Sequence, residues 1–347
     1  MGAQVPSPVP LRVIAEQANV SRMTVSLALR DDPSLSEATR VRIRELAKKL
    51  GYRPDPDVAR LMERIREKRT RHLPNLIAYL TAYEKPWGWK NEPTQRLYFE
   101  GAQRRALECG YELSEFWLRE PGMTDKRLSD IIRNRGIDGA LVAPLPHPEP
   151  LFQHFRWSHV AAVELGYSLR QPALHRSCNH QFQSMLLLME KLMELGYRRP
   201  GLAVAADQDD RVNHHWRAAF FTGQSLWWPG REAAPLLARD WKLETFRGWI
   251  LDQRPDVVIT VGEEAAAWLR ELDIRVPGDI GMANVDLRPH MTGTTGIDQN
   301  SEMVGAAAVD HLLSLLHHNE RGIPSVPRII MVEGRWVAGK TTRRIKS

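Results

Sequence analysis

Apolar residues recur every three or four positions through the first fifty residues of the chain. Leu11, Ile14, Ala15 and Ala18 fall at i, i+3, i+4 and i+7 and give one helix a single apolar stripe. Asn19 follows, a residue that tolerates the left-handed backbone a tight turn needs. Ser21 stands where an N-cap oxygen accepts an N–H from two or three residues on. The helix behind it divides by face, with Val25, Ala28 and Leu29 one way and Arg22, Met23, Ser26 and Leu27 the other. A third helix is expected after a Ser36 cap, with Ile43, Leu46, Ala47 and Leu50 on one side and a stop at Gly51. Three short helices around one core make either a plain bundle or a helix-turn-helix reader of DNA. The outer face favours the reader, because Met23 and Leu27 beside Arg22 suit thymine methyls, guanine edges and phosphates together.

From Pro74 onward short apolar runs alternate with amphipathic helices, the pattern of parallel sheets with helical crossovers. Strands are expected at 76–80, 113–116, 137–142 and 160–165, with helices at 95–110 and 126–135. A second set follows, with helix 181–195, strand 201–205, helices 213–223 and 243–252, strand 257–261, helix 263–272 and strand 280–285. Gly110-Tyr111 and Gly196-Tyr197 recur in equivalent places, which supports two similar lobes. Ligands of open parallel sheets bind outside the carboxyl ends of strands. That rule selects the loop 81–89 with Trp87 and Trp89, then Asp207, Gly262-Glu263 and Asp286. The two tryptophans either stack on a sugar face or serve as core or lid.

Charge sharpens this division. The net charge is +6, and residues 1–72 hold 15 Lys+Arg against 9 Asp+Glu, so the remainder is neutral. A basic segment joined to a neutral one is the distribution of a nucleic-acid footprint attached to a sensor. Cys109 and Cys178 are the two cysteines, too few for a disulfide framework, and with no signal pattern at the N-terminus a cytoplasmic setting is expected. No apolar run reaches the ~20 residues of a spanning helix, so no membrane partner is expected.

Ala15, Val20-Ser21, Thr24-Val25-Ser26, Ser36, Thr39-Arg40 and Leu50-Gly51-Tyr52-Arg53-Pro54 together resemble the headpiece of the lac/galactose repressor (LacI/GalR) family. Two positions depart from its pattern: Asn19 replaces the usual turn Gly, and Pro10 replaces the Thr cap of the first helix. The resemblance implies that Arg22 and Met23, with Leu27 one turn on, enter the major groove, and that Ser21, Thr24, Ser26, Ser36 and Thr39 hold phosphates. It also implies a hinge helix that orders on the operator and drives Leu61 into the central minor groove, kinking the duplex. Val58 stands where the family has Ala, which leaves the close approach of paired hinge helices open.

Further along, Val276-Pro277-Gly278-Asp279-Ile280-Gly281 and Asn284-Val285-Asp286 are similar to another family stretch, which makes Asp286 the acceptor of effector hydroxyls. Arg217 corresponds to an effector-binding Arg, although Phe220 stands where the family has Gly. Gly262-Glu263 replaces an Asn-Asp pair. The implied fold is α/β: a three-helix headpiece plus two doubly wound lobes resembling a periplasmic binding protein. The expected divisions are a headpiece at 1–54, a hinge at 55–72 and a core at 73–347. Within the core, one lobe takes 73–178 and 301–326 and the other 179–300 and 327–347.

The expected function is a dimeric transcriptional regulator, most readily a repressor, that binds an operator and a small effector, most readily a carbohydrate at Asp286, Arg217, Glu263, Trp87, Trp89 and Asp207. Two rivals from other classes remain. An exported sugar-binding protein is opposed by the headpiece. A nucleotide-binding enzyme is suggested by Gly334 to Thr341, which matches the P-loop pattern but lacks room for the helix whose N-terminus holds phosphate. His214-His215, His311 and His317-His318 lack a third ligand at metal-site spacing, so neither metal nor cofactor is expected.

Overall fold

In a computed structural model, which describes residues 10–29, 35–50, 52, 75–146, 151–231 and 233–345, the chain divides into two units, Met1–Leu73 and Pro74–Ser347. The first holds α1 (Leu11–Ala18), α2 (Arg22–Leu29) and α3 (Glu37–Lys49). Asn19 ends α1 at φ 52°, ψ 49°, and the Val20 N–H returns to the Ala15 carbonyl at 3.0 Å, so the turn closes without glycine. Ile14, Val25, Ala28 and Ile43 are wholly buried, with Ala15, Ala18 and Ala47 beside them. Each helix is too short to persist in water alone; the shared core holds all three.

The second unit contains two six-stranded sheets. The first comprises β1 (Asn75–Thr81), β2 (Tyr111–Trp117), β3 (Gly139–Val142), β4 (Ala161–Leu165), β5 (His175–Asn179) and β11 (Ile329–Val332), in the order β11-β5-β4-β3-β1-β2. Every pairing in it is parallel. The second comprises β6 (Pro200–Ala205), β7 (Leu236–Ala238), β8 (Val257–Thr260), β9 (Gly281–Asn284), β10 (Gly296–Asp298) and β12 (Arg335–Val337), in the order β12-β10-β9-β8-β6-β7. Here only β12 runs antiparallel to its neighbour. Strands covered on both faces read as continuous apolar runs, and Ile77, Ala78, Tyr79 and Leu80 of β1 are all fully buried.

Helices α4 (Pro93–Glu108), α5 (Asp125–Asn134) and α11 (Ser301–His317) cover the first sheet. Helices α6 (Gln181–Glu194), α8 (His215–Trp227), α9 (Leu243–Gln253) and α10 (Glu264–Glu271) cover the second, and the short α7 (Ala206–Arg211) follows β6 directly. The chain therefore passes between lobes three times, after β5, after β10 and after β11. Helices α4 and α11 touch backbone to backbone. A Cβ on Gly101 would stand 1.9 Å from the Glu302 carbonyl oxygen, and one on Gly305 1.9 Å from that of Tyr98. This crossing seats the first turn of α4 at the mouth between the sheets.

Two expectations need correction. Residues 329–332, expected in the second lobe, form β11 and pair with β5 in the first, because the chain crosses back only after Val332. Strand β5 escaped the sequence reading altogether, since His-Arg-Ser-Cys-Asn shows no apolar run. Its polar atoms are paired instead: Ser177 Oγ donates to the Val304 carbonyl at 2.9 Å, and His175 Nδ1 accepts the Arg328 N–H at 3.0 Å. The P-loop look-alike contains β12, and Thr341 ties β9 to the residue before β10 by donating to the Met282 carbonyl at 2.7 Å and accepting the Thr295 N–H at 2.9 Å. Among the described residues no helix is long and apolar enough to cross a membrane.

Candidate functional site

Two groups of side chains stand out, one in each unit. In the first unit the Ser21 Oγ accepts the Thr24 N–H at 3.0 Å and lies 2.9 Å from Thr24 Oγ1. Ser36 repeats the arrangement at α3, with its oxygen 3.4 Å from the Thr39 nitrogen and 2.8 Å from Thr39 Oγ1. In each pair one hydroxyl proton binds the other oxygen, which leaves one proton and the helix's first N–H groups to meet an acceptor such as a phosphate. Arg22 and Met23 project from the same end of α2, with Met23 72% exposed. Ser26 and Leu27 follow one turn later and are half-buried. Arg22, Met23, Ser26 and Leu27 thus each keep part of their surface outside the core, whereas Val25 and Ala28 are wholly buried. Leu61 and the remainder of the hinge lie outside the described residues.

In the second unit a cleft opens between the carboxyl ends of the two sheets. Its wall includes Thr94, Gln95 and Tyr98 from the start of α4, Tyr167 and Ser168 after β4, and Asn179 at the end of β5. Across from these stand Gln181, Arg211 at the end of α7, Trp216, and Asp286 and Arg288 after β9. The Asp286 carboxylate accepts the Thr94 hydroxyl at 3.0 Å, while its N–H donates to Asn284 Oδ1 at 2.9 Å. A polar chain runs behind the wall. Tyr98 Oη donates to Asn179 Oδ1, Asn179 Nδ2 to the Gln299 carbonyl at 2.7 Å, Gln299 Nε2 to Gln181 Oε1 at 3.2 Å, and Trp216 Nε1 to that same oxygen at 2.7 Å. Such a network fixes the wall's side chains in one arrangement. Burial pushes the Asp286 carboxyl up, against the opposing pull of Arg288, the Thr94 hydrogen bond and Arg211. Burial likewise holds the Tyr98 hydroxyl well above its ordinary value.

Of the six residues expected to bind an effector, Asp286 alone lines this cleft. Arg217 turns to Asp209, 3.4 Å away, and Arg211 occupies the wall in its stead. Asp207 is exposed on α7, and Gln208 beside it faces the cleft. Glu263 sits on the surface with its carboxylate 3.2 Å from His290 Nε2. Trp89 is 1% exposed, packs on Tyr79 and Phe99 and donates to Glu115 Oε1 at 2.7 Å, so it belongs to the core. Trp87, 57% exposed, carries Lys90 over its ring and does not line the cleft. The lining residues missed include Gln95, Tyr98, Asn179, Arg211 and Arg288. Asn179 would have been found by the strand-end rule had β5 been legible, and Arg211 by recognising α7.

The family model described as bacterial regulatory proteins, lacI family, matches residues 11–55, and a periplasmic binding protein-like domain matches 189–342. Comparison with curated protein sequences returns no match. Among solved structures, the complex of the transcriptional regulator CelR with cellobiose aligns over 96% of this chain and 99% of its own (TM-score 0.61, 19% identity). The lac repressor dimer bound to operator and the anti-inducer ONPF aligns over 97% and 100% (TM-score 0.56, 18% identity). The LacI-family regulator CcpA from Weissella paramesenteroides, with bound glucose, aligns over 78% and 100% (TM-score 0.58, 13% identity). At these identities the likeness to the solved structures is one of fold.

Proposed function

Because this chain belongs to the lacI family of bacterial regulatory proteins, and is by that a DNA-binding transcriptional regulator, we propose that it is a repressor whose operator affinity is set by a carbohydrate bound between its two lobes. The observation that carries the ligand half of this reading is the cleft wall. Asp286, Asn179, Gln95, Gln181 and Ser168 converge there with Tyr98, Tyr167 and Trp216. Polar groups placed among aromatic faces suit a polyhydroxyl ring, which offers alternating hydroxyls and flat C–H faces. CelR with cellobiose and CcpA with glucose support the same class.

Arg22 and Met23 read base edges in this proposal, Leu27 contacts the groove one turn on, and Ser21, Thr24, Ser26, Ser36 and Thr39 hold phosphates. Leu61, from the hinge at 55–72, wedges into the minor groove. One such helix makes too few base contacts for a unique site, so the regulator acts as a homodimer on a pseudo-palindromic operator. It works beside the chromosome in the cytoplasm, and regulation rather than catalysis is its role.

In the conformation described the cleft holds about 100 Å³, below the roughly 300 Å³ at which small-molecule pockets begin. A sugar must therefore shift the lobes to enter, and Thr94 and Asp286, which bond across the mouth, are the first contact it breaks. Ligand that prefers one lobe arrangement biases the DNA-competent population, with a coupling of ~1–3 kcal/mol as the typical scale. The test is selection of a duplex from a randomised library by the full-length protein, followed by operator titrations with and without mono- and disaccharides. A preferred duplex, and a sugar that changes its affinity at least about fivefold in the wild type but not in Asp286→Ala, are expected. No preference for any duplex removes the first half; no sugar response removes the second.

A further inference from the structure

Arg211 and Arg288 both line the cleft, and among the described residues neither has a carboxylate within ion-pair distance. Arg211 stands beside the Tyr83 hydroxyl, a neutral group. Arg288 Nε is shut off from solvent with no hydrogen-bond partner, and so is Oε1 of Gln95 on the facing wall. A buried guanidinium N–H left without an acceptor is among the costlier defects a folded protein carries. Of the carboxylates bordering the cleft, Asp286 is held by Thr94, and Glu92 sits at the N-cap of α4, where the helix's positive end stabilises it. Two cationic forks therefore face the space with no carboxylate in ion-pair contact, the nearby Asp286 acting on them only across a gap.

Resting on the reading of this cleft as the effector site, we propose that the effector is an acidic sugar, a polyhydroxyl ring bearing one phosphate or carboxylate group held between Arg211 and Arg288. The anion completes the open Arg288 Nε–H and uses the planar, paired donors by which arginine recognises phosphate and carboxylate. A ring hydroxyl satisfies the free amide atom of Gln95, and another donates to Asp286. A neutral sugar supplies the hydroxyls and leaves both guanidiniums without a directly paired anion.

The experiment titrates full-length protein, at constant ionic strength, with D-glucose, cellobiose, D-glucose 6-phosphate, D-glucuronate and inorganic phosphate, followed by thermal midpoint and by fluorescence of the cleft tryptophan Trp216. At least one charged sugar is expected to bind tenfold or more tightly than glucose, and the better of glucose 6-phosphate and glucuronate tells phosphate from carboxylate. In Arg288→Gln and in Arg211→Gln that preference is expected to fall to near one, while Arg288→Lys keeps part of it. Circular dichroism and the ligand-free midpoint verify that each variant is folded, and the lysine variant provides the comparison if a glutamine variant is not. Equal or tighter binding of glucose or cellobiose overturns the acidic assignment and leaves the sugar cleft standing. A preference that survives in both glutamine variants overturns it as well. Silence toward all five probes overturns it together with the sugar-cleft reading.

Discussion

Met23 on α2 leaves 72% of its surface to solvent, and Asn179 at the end of β5 leaves 1%. Both are assigned to recognition, yet their surroundings differ in kind. The outer face of α2 is a turn and a half of one helix, set by the Ser21 cap and a core on the opposite side. The cleft wall is gathered from both lobes, from Glu92 to Arg288, and Tyr98, Asn179, Gln181 and Trp216 are tied into one hydrogen-bonded chain through Gln299. A local, exposed face lets residues act one at a time; an assembled, buried one makes them act together.

The strongest way to break this contrast is to disturb the cleft from a distance. Gly305→Val puts a side chain against the Tyr98 carbonyl, where a Cβ alone comes within 1.9 Å. Backbone against backbone has nowhere to yield, so a loss of about 3 kcal/mol or more is expected in urea unfolding of the second unit. Any folded fraction should respond poorly to sugar. Unchanged stability would mean that the α4–α11 crossing does not position the wall.

On the α2 face, Arg22→Ala and Met23→Ala should each relax preference at defined half-site positions by about 1–3 kcal/mol, read from binding to a randomised duplex library. Their effects on protein stability should be small, since both side chains are exposed. Equal selectivity in wild type and variants would remove the assigned reading face.

A titration sharpens the contrast between buried and exposed groups. His311 on α11 is buried beside His175, and burial first, then the charges of His175 and Arg328, lowers its pKa from 6.5 to about 4. The unfolded chain therefore binds this proton more readily than the folded one between those values. The associated stability is complete above about pH 6.5 and is lost as pH falls toward 4. His311→Leu should flatten that limb of a plot of thermal midpoint against pH; an unaltered slope would show that another group governs it. The smallest expected effect is Ser21→Ala, which should cost about 1 kcal/mol in the first unit through loss of the N-cap and leave effector binding untouched. A larger effect on operator affinity than on stability would show that the Ser21 oxygen also touches DNA.

The headpiece could be read in advance because its determinants lie within one helical turn of each other. The stripe from Leu11 to Ala18, the turn residue Asn19 and the caps Ser21 and Ser36 each act on the next few residues, and the structure places each in its expected backbone role. The parallel strands β1, β3, β4 and β8 were also legible, since burial on both faces demands unbroken apolar runs. By contrast β5 is built from polar residues whose partners lie on α11 and just before β11, more than a hundred residues away. Trp87 and Trp89 show the same limit: two positions apart in one loop, one is exposed and the other is core.

By itself, then, the order of residues determined the helix-turn-helix, the segregation of positive charge into the first 72 positions and the pair of parallel-sheet lobes, because propensity, periodicity and charge are properties of short segments. Only the tertiary structure decided which arginine faces the cleft, that Trp89 does not, and that β11 returns to the first sheet. Those outcomes depend on which distant backbones can approach, at Gly101 and Gly305 for instance, and on which buried polar atom finds a partner. Both are settled by the packed chain as a whole.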